Sequence, residues 1–279
     1  MRVLVTGAGG FIGSQLAITL TNHGFSVTGN CRHMPQASDP RIGLYRWNLN
    51  IPQSLSYNYD VIIHAAGTSP APGISAAQIA RDNIDGTANL IEAAKGRCGK
   101  FIFLSSLSVN GVITSPKVDE TTPIVNPDVY GASKLICEQM IAEAPFSSLS
   151  IRLPCVVGIG AKRNWLSKIT GQIRAGETLD VFNPTALFNN VIHVDDLAGF
   201  IIGLITREWS GYGPVVLGAD APITVSAVLD VLMNGLGISV PRNIQPAPKP
   251  SFLIDSSKAI MGFAYLPRAT RKILEQYVA

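Results

Sequence analysis

Tyr130 and Lys134 stand four residues apart in a stretch whose pattern predicts a helix from about 128 to 144. On a helix that spacing puts both side chains on one face. A tyrosine hydroxyl with a pKa of about 10 is a poor base at neutral pH. A neighbouring lysine ammonium favours the phenolate and lowers that value, so the pair can exchange a proton with a substrate hydroxyl or carbonyl. Ser106 follows a buried strand, Phe101-Ile-Phe-Leu104, and can hold the same oxygen by a hydrogen bond. A carbonyl reduced by hydride needs such a proton donor and, separately, a hydride source. The spacing Y-x-x-x-K also occurs in ordinary helices. Its position after a glycine loop and a Ser-Ser strand end is what singles it out.

The glycine loop supplies the candidate place for the hydride carrier. Val3-Leu4-Val5 runs directly into Gly7, Gly10 and Gly13, and Phe11 and Ile12 open an apolar-periodic stretch. This reads as strand, tight turn and helix start, with bare amides suited to a pyrophosphate. The spacing is G-x-x-G-x-x-G rather than G-x-G-x-x-G.

The elements that must position these residues alternate. Strands are expected at Arg2–Thr6, Ser26–Asn30, Gly43–Arg46, Val61–Ile63, Phe101–Leu104 and Leu149–Leu153. Helices are expected at Phe11–His23, Ala76–Lys95 and about 128–144. Continuous apolar strands separated by helices imply an α/β fold, a Rossmann-type doubly wound parallel sheet covered on both faces. After about residue 154 the rhythm breaks. Helices are expected at Ile223–Leu236, Ser256–Phe263 and Arg268–Val278. Residues 1–154 are therefore read as the NAD(P)-binding domain. Residues 155–279 are read as a smaller C-terminal substrate-binding region that can return strands and helices to the main sheet.

Several classes are excluded. The chain of 279 residues is 47% apolar and 15% charged, with a net charge of +3. Its basic residues are scattered, which argues against nucleic acid. Cys31, Cys98, Cys137 and Cys155 form no C-x-x-C pair, so a reduced, cytoplasmic setting is expected. No apolar run is long enough to span a membrane, and a strand at residue 2 leaves no space for a leader. His193-Val-Asp-Asp196 offers too few ligands for a metal; a helix cap at Asp195 or Asp196 is expected instead.

Beyond these residues, Thr6-Gly-Ala-Gly-Gly-Phe-Ile-Gly13, His64-Ala-Ala-Gly67, Asn83-Ile-Asp-Gly-Thr-Ala-Asn-Leu90, Ser105-Ser-Leu-Ser-Val-Asn-Gly111, Tyr130-Gly-Ala-Ser-Lys134, Arg152-Leu-Pro154 and His193-Val-Asp-Asp196 follow one another in order. With them the chain resembles the extended short-chain dehydrogenase/reductase family, in particular its nucleotide-sugar epimerase/dehydratase branch. The resemblance implies a Ser106–Tyr130–Lys134 triad, with Lys134 also on the nicotinamide ribose and Asn83 in the supporting hydrogen-bond network. It implies cofactor contacts at Gly7, Gly10, Phe11, Ile12, Gly13, Asn30, Arg32, Asn48, Leu49, Ala65, Ala66, Gly67, Tyr130, Lys134 and Pro154. Family members commonly pair through two helices, which here are those around 76–95 and 128–144, so a homodimer is plausible.

Cofactor and substrate are read from departures. The residue after the second strand usually carries an acid that binds the adenosine ribose in NAD users. Here the segment is Gly29-Asn30-Cys31-Arg32-His33. Arg32 can pair with a 2′-phosphate, which favours NADP over NAD. Candidate substrate contacts are Thr68, Ser69, Ser106, Ser108, Asn110, Cys155, Lys162 and Arg163. Asn189-Asn190 stands where the family often has a phosphate-binding arginine. The readings are a nucleotide-sugar epimerase or ketoreductase, an NADPH-dependent reductase of a non-nucleotide ketone or aldehyde, and a non-catalytic NADP sensor.

Overall fold

Val3, Leu4 and Val5 are fully buried at the middle of strand β1 (Arg2–Thr6). The remaining strands of its sheet are β2 (Ser26–Cys31), β3 (Gly43–Arg46), β4 (Tyr59–His64), β5 (Cys98–Ser106), β6 (Ser147–Leu153) and β7 (Tyr212–Val216). The seven strands lie in the order β7-β6-β5-β4-β1-β2-β3. The β5–β4, β4–β1, β1–β2 and β2–β3 pairs are parallel. The order runs outward in both directions from β1 and β4. Their carboxyl ends therefore form the switch point at which doubly wound sheets open a crevice. The computed structural model describes residues 1–36 and 38–279.

Helix α1 (Phe11–Asn22) follows β1, α2 (Ala76–Ala94) follows β4, and α3 (Val129–Ala142) follows β5. On α2 the buried positions are Ile79, Asn83, Gly86, Thr87, Leu90, Ile91 and Ala94. Their 3–4 residue spacing is what packs one face of a helix on a sheet. Leu90, Ile91, Phe101, Phe103, Cys137 and Ile141 join Leu4 and Ile62 in one core cluster.

The chain forms two compact units. The first contains Met1–Gly111, Ile124–Arg152 and Ala198–Val215; the second contains Val112–Pro123, Leu153–Leu197 and Val216–Ala279. Helix α5 (Val194–Thr206) carries the chain from one to the other. The second unit has its own core, built from Val157, Leu166, Ile169, Val191, Val228, Leu232 and Ile273 among others. It includes α4 (Trp165–Arg174), α6 (Val225–Leu236), α7 (Ser257–Phe263) and α8 (Thr270–Val278).

Three sequence readings change here. Helix α4 was not expected, because its apolar stripe sits in a stretch rich in glycine and asparagine. A reciprocal capping box between Asn164 and Ser167 starts it. Ile223 is not helical: Ile223–Thr224 pairs antiparallel with Leu187–Phe188, and the Thr224 side chain caps α6 by accepting from Ala227 N–H. Asp195 and Asp196 lie inside the first turn of α5 rather than capping it. The Asp195 N–H donates to His193 Nδ1 at 3.2 Å, while Asp196 pairs with Arg268 at 2.6 Å. Among the described residues no helix is long and apolar enough to cross a membrane.

Candidate active site

The turn after β1 is closed to side chains. Gly7 has φ +68°, and a Cβ there would sit 2.8 Å from Ala66 Cα; a Cβ on Gly13 would overlap the Gly7 carbonyl oxygen. Only glycine permits this conformation and this approach without strain. Helices α2, α3, α4 and α6 have side-chain caps from Ser75, Asp128, Asn164 and Thr224. The N-cap of α1 is Gly10, which offers none. The first intrahelical hydrogen bond runs from Ser14 N–H to Gly10 O, so the amides of Phe11, Ile12 and Gly13 precede it. Uncapped amides at a helix start favour an anion.

A cleft of about 260 Å³, open to solvent, lies beside this turn, close to the lower end of the size range of small-molecule sites. Gly7, Gly9 and Gly10 form one wall, and Asn30, Cys31, Arg32 and His33 come from the end of β2. Trp47, Asn48, Leu49 and Asn50 follow β3, Ala65, Ala66, Gly67 and Thr68 follow β4, and Asp82 comes from α2. Nine of the residues singled out as cofactor contacts thus share one cleft: Gly7, Gly10, Asn30, Arg32, Asn48, Leu49, Ala65, Ala66 and Gly67. The Asn30 side chain is buried and donates to Trp47 O at 3.0 Å. Its amide therefore braces β2 against the segment after β3.

Sequence reasoning missed Asp82. Its Oδ2 accepts from Arg32 Nη1 at 2.9 Å and from Thr68 Oγ1 at 2.7 Å, and its Oδ1 accepts from Asn50 Nδ2 at 2.7 Å. These bonds outweigh partial burial and hold its carboxyl below the usual range. The signal was present: Asp82 stands three residues after Ile79, next to Asn83, on the inward side of α2.

Gly67 connects this cleft to the proton-handling residues. A Cβ on Gly67 would lie 3.2 Å from Lys134 Nζ and 3.3 Å from Asn83 Oδ1. Lys134 is buried; its Nζ donates to Leu104 O at 2.9 Å and lies 4.5 Å from the Phe103 ring centroid. Burial lowers its pKa to about 8, against the smaller opposing effects of Cys137 and Glu138. Ser106 lies near enough to Tyr130 to act on its phenol, while its Oγ accepts from Ser108 N–H at 3.1 Å. Burial raises the Tyr130 phenol, Ser106 opposes that rise, and Asp128 adds to it. The expectation that Lys134 lowers Tyr130 is not met in this geometry. Lys134 is not among the groups that shift the phenol, because its ammonium is turned to Leu104 and Phe103.

Asn83 ties these parts together. Its Oδ1 accepts from Thr68 N–H at 2.7 Å, and its Nδ2 donates to Thr68 O at 3.1 Å and Ser133 Oγ at 2.9 Å. Ser133 donates in turn to Tyr130 O at 2.8 Å. The strand end that carries Ser106 has a brace of its own. Ser105 donates to Glu138 Oε1 at 2.6 Å, and the same carboxylate takes Arg152 Nη2 at 2.8 Å on its other oxygen. Ser108 Oγ lies 3.2 Å from Ser106 Oγ, while Ser69 is half-buried outside the cleft lining. Asn110 is fully buried, which removes it from any ligand-facing wall.

The other singled-out residues belong to the second unit. Cys155 is half-buried against that unit's core, and burial pushes its thiol up to about 12, so it is an inert thiol there. Lys162 and Arg163 are exposed, with Arg163 at φ +65°, and Pro154 is half-buried. Asn189 is consumed by structure: its Nδ2 donates to Ala219 O and Ile254 O, and its Oδ1 accepts from Ile254 N–H. Among the described residues no group of three His, Cys, Asp or Glu side chains is placed to hold a metal.

The model of the NAD dependent epimerase/dehydratase family matches residues 3–218. The chain belongs to that family. Among its relatives, a UDP-glucose 4-epimerase of Neisseria gonorrhoeae is 28% identical over 292 residues, covering 88% of this chain and 86% of that protein. A 3-diazoavenalumate denitrifying reductase of a Streptomyces species is 26% identical over 276 residues, covering 91% and 87%. The crystal structure of a UDP-glucuronic acid 4-epimerase from Bacillus cereus with NAD superposes with a TM-score of 0.83 at 23% identity, covering all of this chain and 94% of the other. This epimerase/dehydratase-family chain therefore shares the fold of that crystallised enzyme over its whole length.

Proposed function

We propose that this chain is a nicotinamide-dependent oxidoreductase or epimerase acting on a sugar, most naturally one carried on a nucleotide. The observation that carries the reading is the buried Lys134 beside Gly67, which lines the glycine-turn cleft, with Ser106 near Tyr130. The nucleotide sugar comes from the names of relatives that are UDP-glucose 4-epimerases.

The residues fit a dinucleotide. Gly7 and Gly13 leave room that a Cβ would fill, α1 starts with uncapped amides, and no carboxylate stands at the end of β2. The amides of Phe11, Ile12 and Gly13 would hold the pyrophosphate, and Lys134 would reach the nicotinamide end near Gly67. When bound, the nicotinamide supplies or takes up the hydride. The phenol of Tyr130, kept protonated by burial, gives its proton to the carbonyl oxygen of a keto-sugar. Ser106 holds that oxygen by its hydroxyl. The Lys134 ammonium, present below a pH of about 8, would meet the nicotinamide ribose beside Gly67 rather than the phenol. Asn83 sets the distance between the segment after β4 and the α3 turn that carries Tyr130. For the ribose, Arg32 is the group that meets a 2′-phosphate, so NADP(H) is favoured over NAD(H).

A second reading is an NADPH-dependent reductase of a non-nucleotide ketone or aldehyde. It is favoured by Asn189, whose side chain is spent on three backbone groups and supplies no charge to a diphosphate, and by the reductase among the relatives. In that case Lys162 and Arg163 are solvated loop charges rather than anion contacts. Free thiols throughout suit a reduced, cytoplasmic setting. Exposed Val129 and Ile136 on α3 suit a homodimer through α2 and α3.

The test is Tyr130→Phe assayed with keto-sugar and simple-ketone panels. Turnover is expected to fall by about 10²–10⁴-fold with the melting temperature unchanged. Unaltered turnover overturns the mechanism, and tight calorimetric binding of UDP to the native protein overturns the second reading.

A further inference from the structure

Arg32 is the one basic side chain at the end of β2 that the cofactor reading relies on, yet it does not face the cleft alone. Asp82, from a different element, lines the same cleft and holds Arg32 Nη1 at 2.9 Å. The carboxylate is fixed from two other sides, by the Thr68 hydroxyl and the Asn50 amide, each at 2.7 Å. Its side chain is 11% exposed against 48% for Arg32. The anion is therefore the anchored member of the pair and the guanidinium the adjustable one.

We propose that Asp82 is a specificity-determining residue for the cofactor, limiting how strongly the site selects a 2′-phosphorylated adenosine ribose over an unphosphorylated one. The inference rests on the reading of this cleft as a nicotinamide-dinucleotide site. An acid at the end of β2 would reject a 2′-phosphate outright. Here no acid stands at the end of β2, but the fold brings a carboxylate into the same cleft from α2, against Arg32. A 2′-phosphate that pairs with Arg32 must share the guanidinium with Asp82, and two anions on one cation within a few ångströms repel each other. An unphosphorylated ribose meets no such penalty. Hydrogen bonds from Thr68, Asn50 and Arg32 keep the carboxylate ionised across the neutral range, so protonation does not relieve the repulsion. The site thus accepts both cofactors, with its preference for the phosphorylated one held below what Arg32 by itself would give.

The experiment is equilibrium titration of the purified full chain with NADPH and with NADH, read by quenching of Trp47, which lines the cleft. It compares the native protein with Asp82→Asn, Asp82→Ser and Asp82→Asn/Arg32→Ala. Asparagine keeps the size and an acceptor oxygen while removing the charge, and serine is a second route to the same loss. The expected result is NADPH binding about tenfold tighter in both single variants, the scale of one charge–charge interaction in a partly exposed site. NADH affinity is expected to stay within about twofold, which also certifies that each variant is folded. The gain should vanish in the double variant. NADH binding preserved with no gain for NADPH overturns the role of Asp82 and leaves the cofactor reading standing. Binding of neither nucleotide by the native protein overturns that reading and the proposal with it.

Discussion

Replacing Glu138 by glutamine removes one charge and almost no volume from the most deeply buried ion pair of the first unit. Glu138 and Arg152 are 2% and 5% exposed. The carboxylate accepts from Arg152 Nε at 3.1 Å and Nη2 at 2.8 Å while also taking the Ser105 hydroxyl at 2.6 Å. Arg152 Nη1 already lacks a hydrogen-bond partner among the described residues. In Glu138→Gln the guanidinium keeps its charge in a site that no longer compensates it. Breaking a buried pair in this way costs about 3–5 kcal/mol, most of it the penalty of the stranded charge. At 2–4 °C per kcal/mol for a chain of this size, the melting temperature should drop by about 10 °C. The assay is thermal and urea unfolding followed by circular dichroism, with Glu138→Leu/Arg152→Met as the control. Removing both partners strands no charge, so the double variant should be markedly more stable than the single one. A single variant within 2 °C of the native protein would refute the argument. So would a double variant no better than the single, since the loss would then come from packing. Turnover should fall in Glu138→Gln as well, because Ser105 positions the strand end that carries Ser106.

Two further outcomes follow from charge states. Lys134 has its pKa lowered to about 8 by burial, so its ammonium is lost as pH rises through about 8; kcat for carbonyl reduction should decline above that value, and a flat profile to about pH 10 would remove the ammonium from the mechanism. His64 is buried between Thr6 Oγ1 at 2.7 Å and Thr87 Oγ1 at 2.9 Å, and burial, reinforced by Lys134, lowers its pKa to about 3. The folded protein keeps His64 neutral while the unfolded chain takes up a proton below about 6.5. Its contribution is therefore complete above about pH 6.5 and is lost as pH falls toward about 3, some 5 kcal/mol in all. His64→Gln should flatten the dependence of stability on pH across that window; an unchanged slope would assign the acid sensitivity elsewhere.

The glycine turn and six of the first sheet's seven strands were legible because their signals are local. Gly7 and Gly13 answer to backbone geometry within a few residues, and continuous apolar strands such as Val61-Ile62-Ile63 read as buried in any context. Tyr130, Lys134 and Ser106 were legible as residue types in order. Lys134 shows the limit. Spacing puts it on the same face as Tyr130, but its ammonium is taken by the Leu104 carbonyl thirty residues away, a partner that no helical period can name.

Asn110, Asn189 and Asp82 show the same limit from the other side. Sequence position made Asn110 a pocket residue; the fold buries it completely. Asn189 looked like a vacated phosphate site and instead fastens strands of the second unit. Asp82, which the sequence reading passed over, holds Arg32 across fifty positions. The sequence by itself determined the periodicities, the uncapped glycine start of α1 and the chemical types at the strand ends, because each depends on neighbours along the chain. Only the tertiary structure decided which charges meet, which polar groups are spent on backbone and which pKa values move. Those depend on burial and on distances between segments that chain spacing does not encode.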